Sequence, residues 1–331
     1  MNETTIETLF EWLDETTLMI EQHTEDTYLD SLAQTMEILF YEEVPELPND
    51  MLTHQLTKAF ERRIELDEYD TAVIRKAIQL VILKGMKDST QQQHLMTPET
   101  VALLAGYLAD KLLQNKEHIQ VFDPVCGTAN LLTTVMSHLT QPLKAFASEV
   151  DPTLIRLGVA NANLQKMRIE FFHQDSLRPL LLDPVDLIVA DLPVGYYPDD
   201  VRASDFELQA KEGHSYAHHL LIEQSINYTK NGGYLILVVP HYLFNSDQSD
   251  QLHAYFKEHV HIIGVLQLPT SAFLSEEQSK SILVLRKKGE QTEDLKQPLL
   301  AQLPSFNNTA AMEDILGQMN TWFKNNKDQL S

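Results

Sequence analysis

From about residue 97 onward the chain alternates short β-rich runs with helical windows, and this alternation limits the folds open to it. The β-rich runs cover His118–Asp123, Lys144–Glu149, Ile169–Phe172, Asp186–Asp191 and Gly233–Pro240, with helical windows at about 129–139, 152–166 and 216–229. Alternation of this kind builds right-handed βαβ units, because parallel strands need a long crossover connection. It predicts an α/β fold with a doubly wound sheet that helices cover on both faces.

Two later β-rich runs, Ile262–Leu268 and Ser281–Arg286, complete a predicted sheet of seven strands. The segment between them contains no clear long helix, so we expect these two strands to be antiparallel. Apolar residues from Thr309 to Asn325 follow helical spacing and predict one last amphipathic helix. At the front of this region, Thr97 is the expected N-cap of a helix, with Pro98 at the first helical position.

The first 90 residues carry the periodicity of amphipathic helices. Apolar residues recur at helical spacing at Ile6, Leu9, Phe10 and Leu13, and again at Leu29, Leu32, Met36, Leu39 and Phe40. Pro45 and Pro48 interrupt the pattern, because proline cannot continue a helix interior. Two more helical runs follow at about 51–63 and 68–86, and Gly85 is the expected C-cap of the second.

A polar stretch at Asp88–Gln93 has no periodicity and is interpreted as a linker. We therefore predict two domains, an acidic helical domain at 1–90 and a larger domain at 95–331. The formal net charge is −23, and the first 57 residues contain fourteen acids and no Lys or Arg. This charge repels phosphate backbones and disfavours stand-alone, non-specific binding of nucleic acid. The acids either solvate helix faces or meet a basic partner.

The cysteine content and the first residues indicate where the protein works. A single cysteine, Cys126, excludes an internal disulfide and favours a reducing compartment, and we interpret it as a small packing residue. The chain begins without a basic segment, and no run approaches about 18 apolar residues. We therefore expect a cytoplasmic protein without a membrane span. His214, His218 and His219 lack the spacing of metal ligands, so no metal site is predicted.

Four successive predicted strands end in or just before an acidic residue. These acids are Asp123, Glu149, Asp175 and Asp191, and the first of them leads into a tight loop that contains Gly127. In a doubly wound sheet, ligands bind beyond the carboxyl ends of the strands. The loop has one glycine rather than the three of the dinucleotide fingerprint, which disfavours a nicotinamide or flavin cofactor.

The same segments resemble those of a known family. The loop DPVCGTANLL, the segment DLIVADLPVGYYP and the helix MTPETVALLAGYLADKL are similar to the motifs of class I S-adenosylmethionine-dependent methyltransferases of the N6-adenine kind. The resemblance is to the modification subunits of type I restriction systems and to YtxK-like proteins, and it covers about residues 95 to 290. It implies a Rossmann-like methyltransferase sheet, S-adenosylmethionine as cofactor, and methylation of an amino or amide nitrogen, with N6 of adenine in DNA as the first candidate.

The resemblance also implies roles for individual residues. Asp123 and the Gly127 loop are expected to hold the amino-acid part of the cofactor, with Glu149 on the ribose and Asp175 on the adenine amine. Val150 is expected to pack on the adenine ring. The full cofactor-binding set comprises Thr97, Asp123, Gly127, Asn130, Glu149, Val150, Asp175, Ser176 and Asp191.

On the acceptor side, the resemblance implies a catalytic set of Asp191, Leu192, Pro193 and Tyr196. A side-chain oxygen of Asp191 and the carbonyl of Leu192 are expected to accept hydrogen bonds from both N–H groups of the acceptor amine. These bonds would free the nitrogen lone pair for attack, and Pro193 would fix the loop.

Two departures from the family pattern bear on the acceptor. Ala129 stands where the family loop has a second glycine, and it either needs φ > 0 or already lies in the helix. Leu192 replaces the first proline of the acceptor motif, and Val194 replaces its aromatic residue. Tyr196 or Tyr197 then either takes over the stacking on the acceptor or simply packs the loop.

Two alternatives to DNA methylation stay open. The chain either binds S-adenosylmethionine with weak or no transfer, or methylates a protein or a small molecule. Sequence-specific recognition of DNA would need a partner subunit, because about 45 residues follow the last predicted strand. The oligomeric state does not follow from the sequence.

Overall fold

The structure, a computed structural model, describes residues 3–46, 49–63, 65–87, 96–273, 275 and 278–330. Four helices come first: α1 (Glu3–Glu21), α2 (Tyr28–Tyr41), α3 (Asp50–Glu61) and α4 (Thr71–Lys87). They follow the predicted periodicity closely. The predicted linker at Asp88–Gln93 lies outside the described residues.

One mixed sheet forms the centre of the rest of the chain. Its strands are β1 (Ile119–Asp123), β2 (Leu143–Glu149), β3 (Ile169–His173), β4 (Val185–Asp191), β5 (Thr229–Pro240), β6 (Val260–Gln267), β7 (Lys280–Lys287) and β8 (Leu299–Gln302). They lie in the order β3-β2-β1-β4-β5-β7-β6-β8. The first five strands of the chain are parallel to one another, and β7 runs antiparallel to both β5 and β6, as the short connection predicts.

Helices cover both faces of the sheet, which confirms the doubly wound α/β fold. The remaining helices are α5 (Glu99–Leu113), α6 (Asn130–Met136), α7 (Pro152–Leu164), α8 (Asp200–Ala203), α9 (Ala217–Asn227), α10 (Ser249–His259), α11 (Thr309–Asn325) and α12 (Lys327–Leu330). One apolar core joins α5, α6 and α11 to the first face, and a second core joins α9 and α10 to the other face.

The predicted count of seven strands is wrong, because the sheet has an eighth strand at one edge. β8 spans four residues and pairs in parallel with β6, from Gly264 opposite Leu299 to Gln267 opposite Gln302. Leu299 is buried, whereas Leu300 is 71% exposed, so the strand is half covered. A four-residue edge strand has too few alternating positions to give a periodic signal.

Two predicted helix ends also differ from the structure. Thr97 is not an N-cap: α5 begins at Glu99, and Pro98 occupies the cap position without a side-chain hydrogen bond. Gly85 is not a C-cap, because α4 continues to Lys87. A Cβ at Gly85 would lie 2.6 Å from side-chain atoms of Tyr28 and Leu29, so the glycine allows α4 to approach α2 closely.

The N-terminal helices share a core with the sheet domain. Leu157 and Leu164 of α7 pack in one apolar cluster with residues of α1, α2 and α4. Two polar contacts support it: Thr153 Oγ1 donates to Asp30 Oδ1 at 2.6 Å, and Arg156 binds both carboxylate oxygens of Glu37. The division at 90 and 95 stays a prediction, since the joining segment is outside the described residues. No helix of the described part of the chain is long and apolar enough to cross a membrane.

Candidate active site

The carboxyl ends of four adjacent parallel strands bring the predicted acids to one edge of the sheet. Asp123 ends β1, Glu149 ends β2, Asp191 ends β4, and Asp175 lies two residues beyond β3. Asp123 pairs with Ala147 in the neighbouring strand, so Glu149 lies two residues beyond the end of β1. The strand order therefore gathers these acids around one crevice, where doubly wound proteins bind ligands.

The loop after β1 is built around two residues with left-handed backbone. Gly127 has φ of 51° and Ala129 has φ of 59°, and α6 begins immediately after, at Asn130. Ala129 therefore does need φ > 0 and lies before the helix, a conformation that costs an L-residue about 1–2 kcal/mol. A Cβ on Gly127 would meet nothing within 4 Å, so this glycine supplies backbone freedom rather than space.

Glu149 links this loop to the end of β2. Its Oε2 accepts the Gly127 N–H at 2.9 Å, and its Oε1 accepts the N–H groups of Val150 and Asp151 at 2.8 and 2.9 Å. Three backbone donors thus fix the orientation of the carboxylate. Val150 follows with 62% of its surface exposed, so an apolar side chain stands open beside the acid.

Asp123 lies at the bottom of the crevice and is fully buried. Burial raises the pKa of its carboxyl well above the ordinary value; a hydrogen bond from the Val125 N–H opposes this rise, and the charges of Glu149 and Asp191 add to it. A cation bound beside these groups would offset their mutual repulsion. The crevice is therefore electrostatically suited to a cationic ligand.

Two residues of the predicted cofactor set use their side chains inside the protein. Asn130 donates to the Thr97 carbonyl at 3.0 Å and accepts from Gln79 of α4 at 2.6 Å. Ser176 donates to the Pro124 carbonyl at 2.6 Å and so holds the loop after β1 from the other side. Both side chains are buried, and they support the crevice from behind. Their direct contact with a cofactor stays a prediction.

Residues of α7 that the sequence analysis did not single out also hold this loop. Asn161 donates to the Thr128 carbonyl at 2.8 Å from a buried position. A Cβ on Gly158 would lie 3.1 Å from the Gly127 carbonyl oxygen, so the helix approaches the loop closely. Polar Asn and small Gly on an otherwise apolar helix face were the only signals that could have found them.

Asp175 is joined to the acceptor segment. Its Oδ1 accepts the Leu177 N–H at 2.9 Å, and its Oδ2 accepts the hydroxyl of Tyr197 at 2.5 Å. Burial and this acidic partner raise the pKa of the Tyr197 phenol. Tyr197 is thereby turned inward and buried, so of the two tyrosines weighed for stacking on an acceptor, only Tyr196 faces outward.

Asp191 is held between Thr97 and Lys280. Thr97 Oγ1 donates to Asp191 Oδ2 at 2.9 Å, and Lys280 Nζ forms an ion pair with Asp191 Oδ1. Lys280 Nζ also donates to the Leu192 carbonyl at 3.3 Å. The side-chain oxygen of Asp191 and the carbonyl of Leu192 thus converge on one nitrogen, as predicted for an acceptor amine, and that nitrogen belongs to the chain itself.

An aromatic stack stands next to this pair of oxygens. Tyr196, 59% exposed, stacks on Tyr216 with ring centroids 5.0 Å apart, and Tyr216 stacks on His218 at the same distance. Burial, with the charges of His219 and Lys280, lowers the pKa of His218 to about 3, and burial lowers that of His219 to about 4. Both imidazoles are therefore neutral at pH 7. Pro193 and Val194 are exposed at the entrance beside Tyr196.

Lys280 is the functional candidate that the sequence analysis missed. It lies 89 residues beyond Asp191 in the chain and begins β7, with its backbone opposite Pro240 of β5. A basic residue at the start of an apolar strand resembles any solvated strand end. Only the antiparallel placement of β7 against β5 brings it to the edge where the acids meet.

Comparison with known proteins gives two family matches and one close relative. Residues 7–86 match the YtxK N-terminal helical domain, and residues 83–329 match the N-6 DNA Methylase family. The uncharacterized protein YtxK of Bacillus subtilis is 46% identical over 322 residues, which span 96% of this chain and 98% of the relative.

Solved structures show the same fold over nearly the whole chain. A candidate class I S-adenosylmethionine-dependent methyltransferase from Listeria monocytogenes is 40% identical, with a TM-score of 0.90 over 97% of this chain and 99% of that one. The methyltransferase subunit of a type I restriction-modification system from Streptococcus thermophilus is 15% identical, with a TM-score of 0.65 over 93% of this chain and 73% of that one. At that identity the second likeness concerns the fold alone.

Proposed function

The chain belongs to the N-6 DNA methylase family, and from that premise we propose that it transfers the methyl group of S-adenosylmethionine to an exocyclic amino nitrogen, with N6 of adenine in DNA as the first candidate. The family matches confirm the family predicted from the sequence, and with it the fold class and the cofactor. The acceptor and the residue roles that follow are our proposal.

The crevice fits S-adenosylmethionine. The cofactor carries a positive sulfonium and a positive amino group, and buried Asp123 stands beside the carboxylates of Glu149 and Asp191 with no lysine or arginine bound to it among the described residues. We assign Glu149 to the ribose hydroxyls, and the exposed side chain of Val150 offers a surface for the adenine ring. When bound, the cofactor supplies a methyl group on sulfur that is electrophilic because of the positive charge.

One observation supports the transfer to an amine: Asp191 and Leu192 already bind a nitrogen. An exocyclic aryl amine is a poor nucleophile, because its lone pair is delocalised into the ring. When two oxygens accept both of its N–H bonds, the nitrogen becomes more tetrahedral and the lone pair is available for attack. Acceptors held in advance in this way are worth a few kcal/mol in the transition state. Thr97 keeps the Asp191 carboxylate oriented from the opposite side.

A planar acceptor is favoured by the outward ring of Tyr196. Its neighbour Tyr216 supports one face by stacking at 5.0 Å, and 59% of the Tyr196 surface stays exposed to receive another ring. Stacking of a flipped-out base on an aromatic side chain is a common means of holding it for chemistry. Tyr196 would then take the role of the motif's aromatic residue, at whose position this chain has Val194.

DNA recognition by this chain would depend on a partner. The formal net charge of −23 makes long-range attraction to DNA unfavourable. The fold resembles that of proteins described as subunits of type I restriction-modification systems. We therefore propose that a basic partner subunit supplies the phosphate contacts and the sequence specificity.

The test combines cofactor binding with a search for the acceptor. Isothermal titration with S-adenosylmethionine is followed by incubation with the tritiated-methyl cofactor and DNA, RNA or protein extract, with Asp191→Ala and Asp183→Ala compared. Asp183 is an exposed loop acid and serves as the matched control. We expect Asp191→Ala alone to reduce transfer by about two to three orders of magnitude.

The acceptor class that is labelled decides between the proposals. Label in DNA supports adenine N6, and label in RNA or in a protein of the extract replaces DNA as the acceptor. Tight binding without label in any class would support a cofactor-binding protein that lacks transfer activity.

A further inference from the structure

Lys280 occupies the position that the proposed function assigns to the acceptor amine. Its Nζ contacts Asp191 Oδ1 and the Leu192 carbonyl, and its side chain is 21% exposed against 14% for Asp191. The placement is fixed by the sheet, because β7 begins at Lys280 and pairs with β5 over seven residues. The backbone of Lys280 therefore belongs to the sheet and not to a loop.

Once the Lys280 ammonium of the ion pair has lost one proton, the number of hydrogens on its nitrogen matches the number of oxygens around it. A neutral primary amine has two N–H bonds and one lone pair. Asp191 and the Leu192 carbonyl accept hydrogen bonds from these two N–H groups, which leaves the lone pair directed away from both oxygens.

We propose that the chain methylates its own Lys280 at Nζ. This inference rests on the proposed function, because it uses the same cofactor and the same pair of oxygens. An external acceptor would have to displace Lys280 from these oxygens. In its absence the lysine nitrogen is already in place and becomes the nucleophile when its ammonium loses a proton, and an intramolecular reaction needs no second binding event.

The reaction balances without a further reagent. Lys280 first loses one proton from its ammonium to water, through the exposed fifth of its side chain. Its lone pair then forms the bond from nitrogen to the methyl carbon while the bond from that carbon to sulfur breaks. The electron pair of the broken bond stays on sulfur, and the products are S-adenosylhomocysteine and Nζ-methyl-lysine.

The first transfer should also be the main one. A neutral monomethylated Nζ has a single N–H and can satisfy only one of the two oxygens. The second methylation therefore loses the arrangement that favours the first. We expect one methyl group on each chain, which raises the mass by about 14 Da.

The first experiment follows the mass of the purified full chain during incubation with S-adenosylmethionine. Peptide mapping should place the methyl on Lys280. Lys280→Arg should show no gain, whereas Lys287→Arg, a change at the far end of the same strand, should gain the methyl as wild type does. A chain that binds the cofactor but keeps Lys280 unmodified overturns the proposal, as does an equal gain in Lys280→Arg.

The second experiment tests the position of Lys280 without any transfer. Sinefungin carries an ammonium where the transferable methyl group stands, and S-adenosylhomocysteine carries no charge there. If Lys280 lies against that position, Lys280→Met should bind sinefungin roughly tenfold more tightly while its affinity for S-adenosylhomocysteine changes little. Equal changes for the two ligands would show that Lys280 does not face the methyl group, and would overturn the proposal.

These outcomes separate this inference from the proposed function. Failure of the proposed function is seen as absence of cofactor binding, or as label that never reaches an external acceptor. Failure of self-methylation is seen as an unmodified Lys280 in a chain that binds the cofactor. Transfer to DNA together with an unmodified Lys280 would leave the first standing and remove the second.

Discussion

The hydroxyl of Tyr197 donates a hydrogen bond of 2.5 Å to Asp175 Oδ2, and this bond ties the acceptor segment to the strand end proposed to bind the cofactor's adenine. The two residues are 22 positions apart in the chain. Because Asp175 retains the Leu177 N–H on its other oxygen, the loss of Tyr197's hydroxyl would release the acceptor segment without freeing the acid.

Tyr197→Phe is therefore expected to lower the free energy of unfolding by about 1–2 kcal/mol and to slow methyl transfer. Cofactor affinity should change less than transfer, because the carboxylate of Asp175 stays in place. Urea denaturation, titration calorimetry and the tritiated-methyl assay measure the three quantities. Tyr41→Phe, at a ring that is 68% exposed, is the control and should change none of them.

Glu149→Ala should weaken binding of S-adenosylmethionine by roughly ten- to a hundredfold, because a carboxylate that accepts hydrogen bonds contributes about 1.5–3 kcal/mol. The variant also leaves the Gly127 N–H without its partner, so the loop itself becomes less ordered. Titration calorimetry gives the affinity, and circular dichroism checks the fold. Glu170→Ala, at an exposed acid on β3, is the matched control. Unchanged affinity in folded Glu149→Ala would remove this residue from the site.

Acidification should destabilise the protein through two buried imidazoles. Burial lowers the pKa of His218 to about 3 and that of His219 to about 4, from an ordinary value of 6.5. Below pH 6.5 the unfolded chain binds these protons and the folded chain does not. Stability is therefore complete above pH 6.5 and falls with the pH, by about 1.4 kcal/mol per pH unit for each imidazole, until the folded state titrates.

The measurement is urea denaturation between pH 7 and pH 5. His219→Leu removes one of the two titrations and should reduce the slope of stability against pH, whereas His54→Leu, at an exposed position on α3, should leave it unchanged. If His219→Leu keeps the wild-type slope, the buried histidines do not carry the effect.

Ala129 offers a test of backbone strain. Its φ of 59° penalises a Cβ by about 1–2 kcal/mol, and glycine relieves this at the expense of a buried methyl and a more flexible unfolded chain. Ala129→Gly should therefore stay within about 1 kcal/mol of wild type. Ala160→Gly, buried in α7, lacks that relief and should lose about 1 kcal/mol or more. Equal losses in the two variants would contradict the strain.

Local periodicity and the alternation of strands with helices account for what the sequence predicts well. Seven strands and the predicted helices appear close to their expected bounds, because each has several turns of helix or alternations of strand to mark it. The helices α8, α10 and α12 are not among those predicted. Contacts between distant residues leave no such mark. Nothing local distinguishes Lys280 from other lysines at strand ends, or Tyr197 from Tyr196. Lys280 and Tyr197 nevertheless turn inward, because each contacts an acid that is distant in the chain, Asp191 and Asp175 respectively.

For the acids at the strand ends, the sequence predicts their location but not their hydrogen-bond partners. Their recurrence at successive strand ends predicts that they share an edge, and the charges of Glu149 and Asp191 do raise the pKa of the Asp123 carboxyl. What each carboxylate binds depends on donors elsewhere in the chain. Thr97 reaches Asp191 from 94 residues away, a contact that the expected N-cap role of this residue did not foresee.

The packing of α2 on α7 has a consequence for how this protein can evolve. Asp151 caps α7 two residues after Glu149, so the helix that contacts Asp30 and Glu37 is joined by a short loop to Glu149 at the end of β2. A lineage that discarded or exchanged the N-terminal helices would expose Leu157 and Leu164 and loosen the foundation of that loop at the same time. We therefore expect the N-terminal helices and the sheet domain to be inherited together, and not to be exchanged independently between proteins.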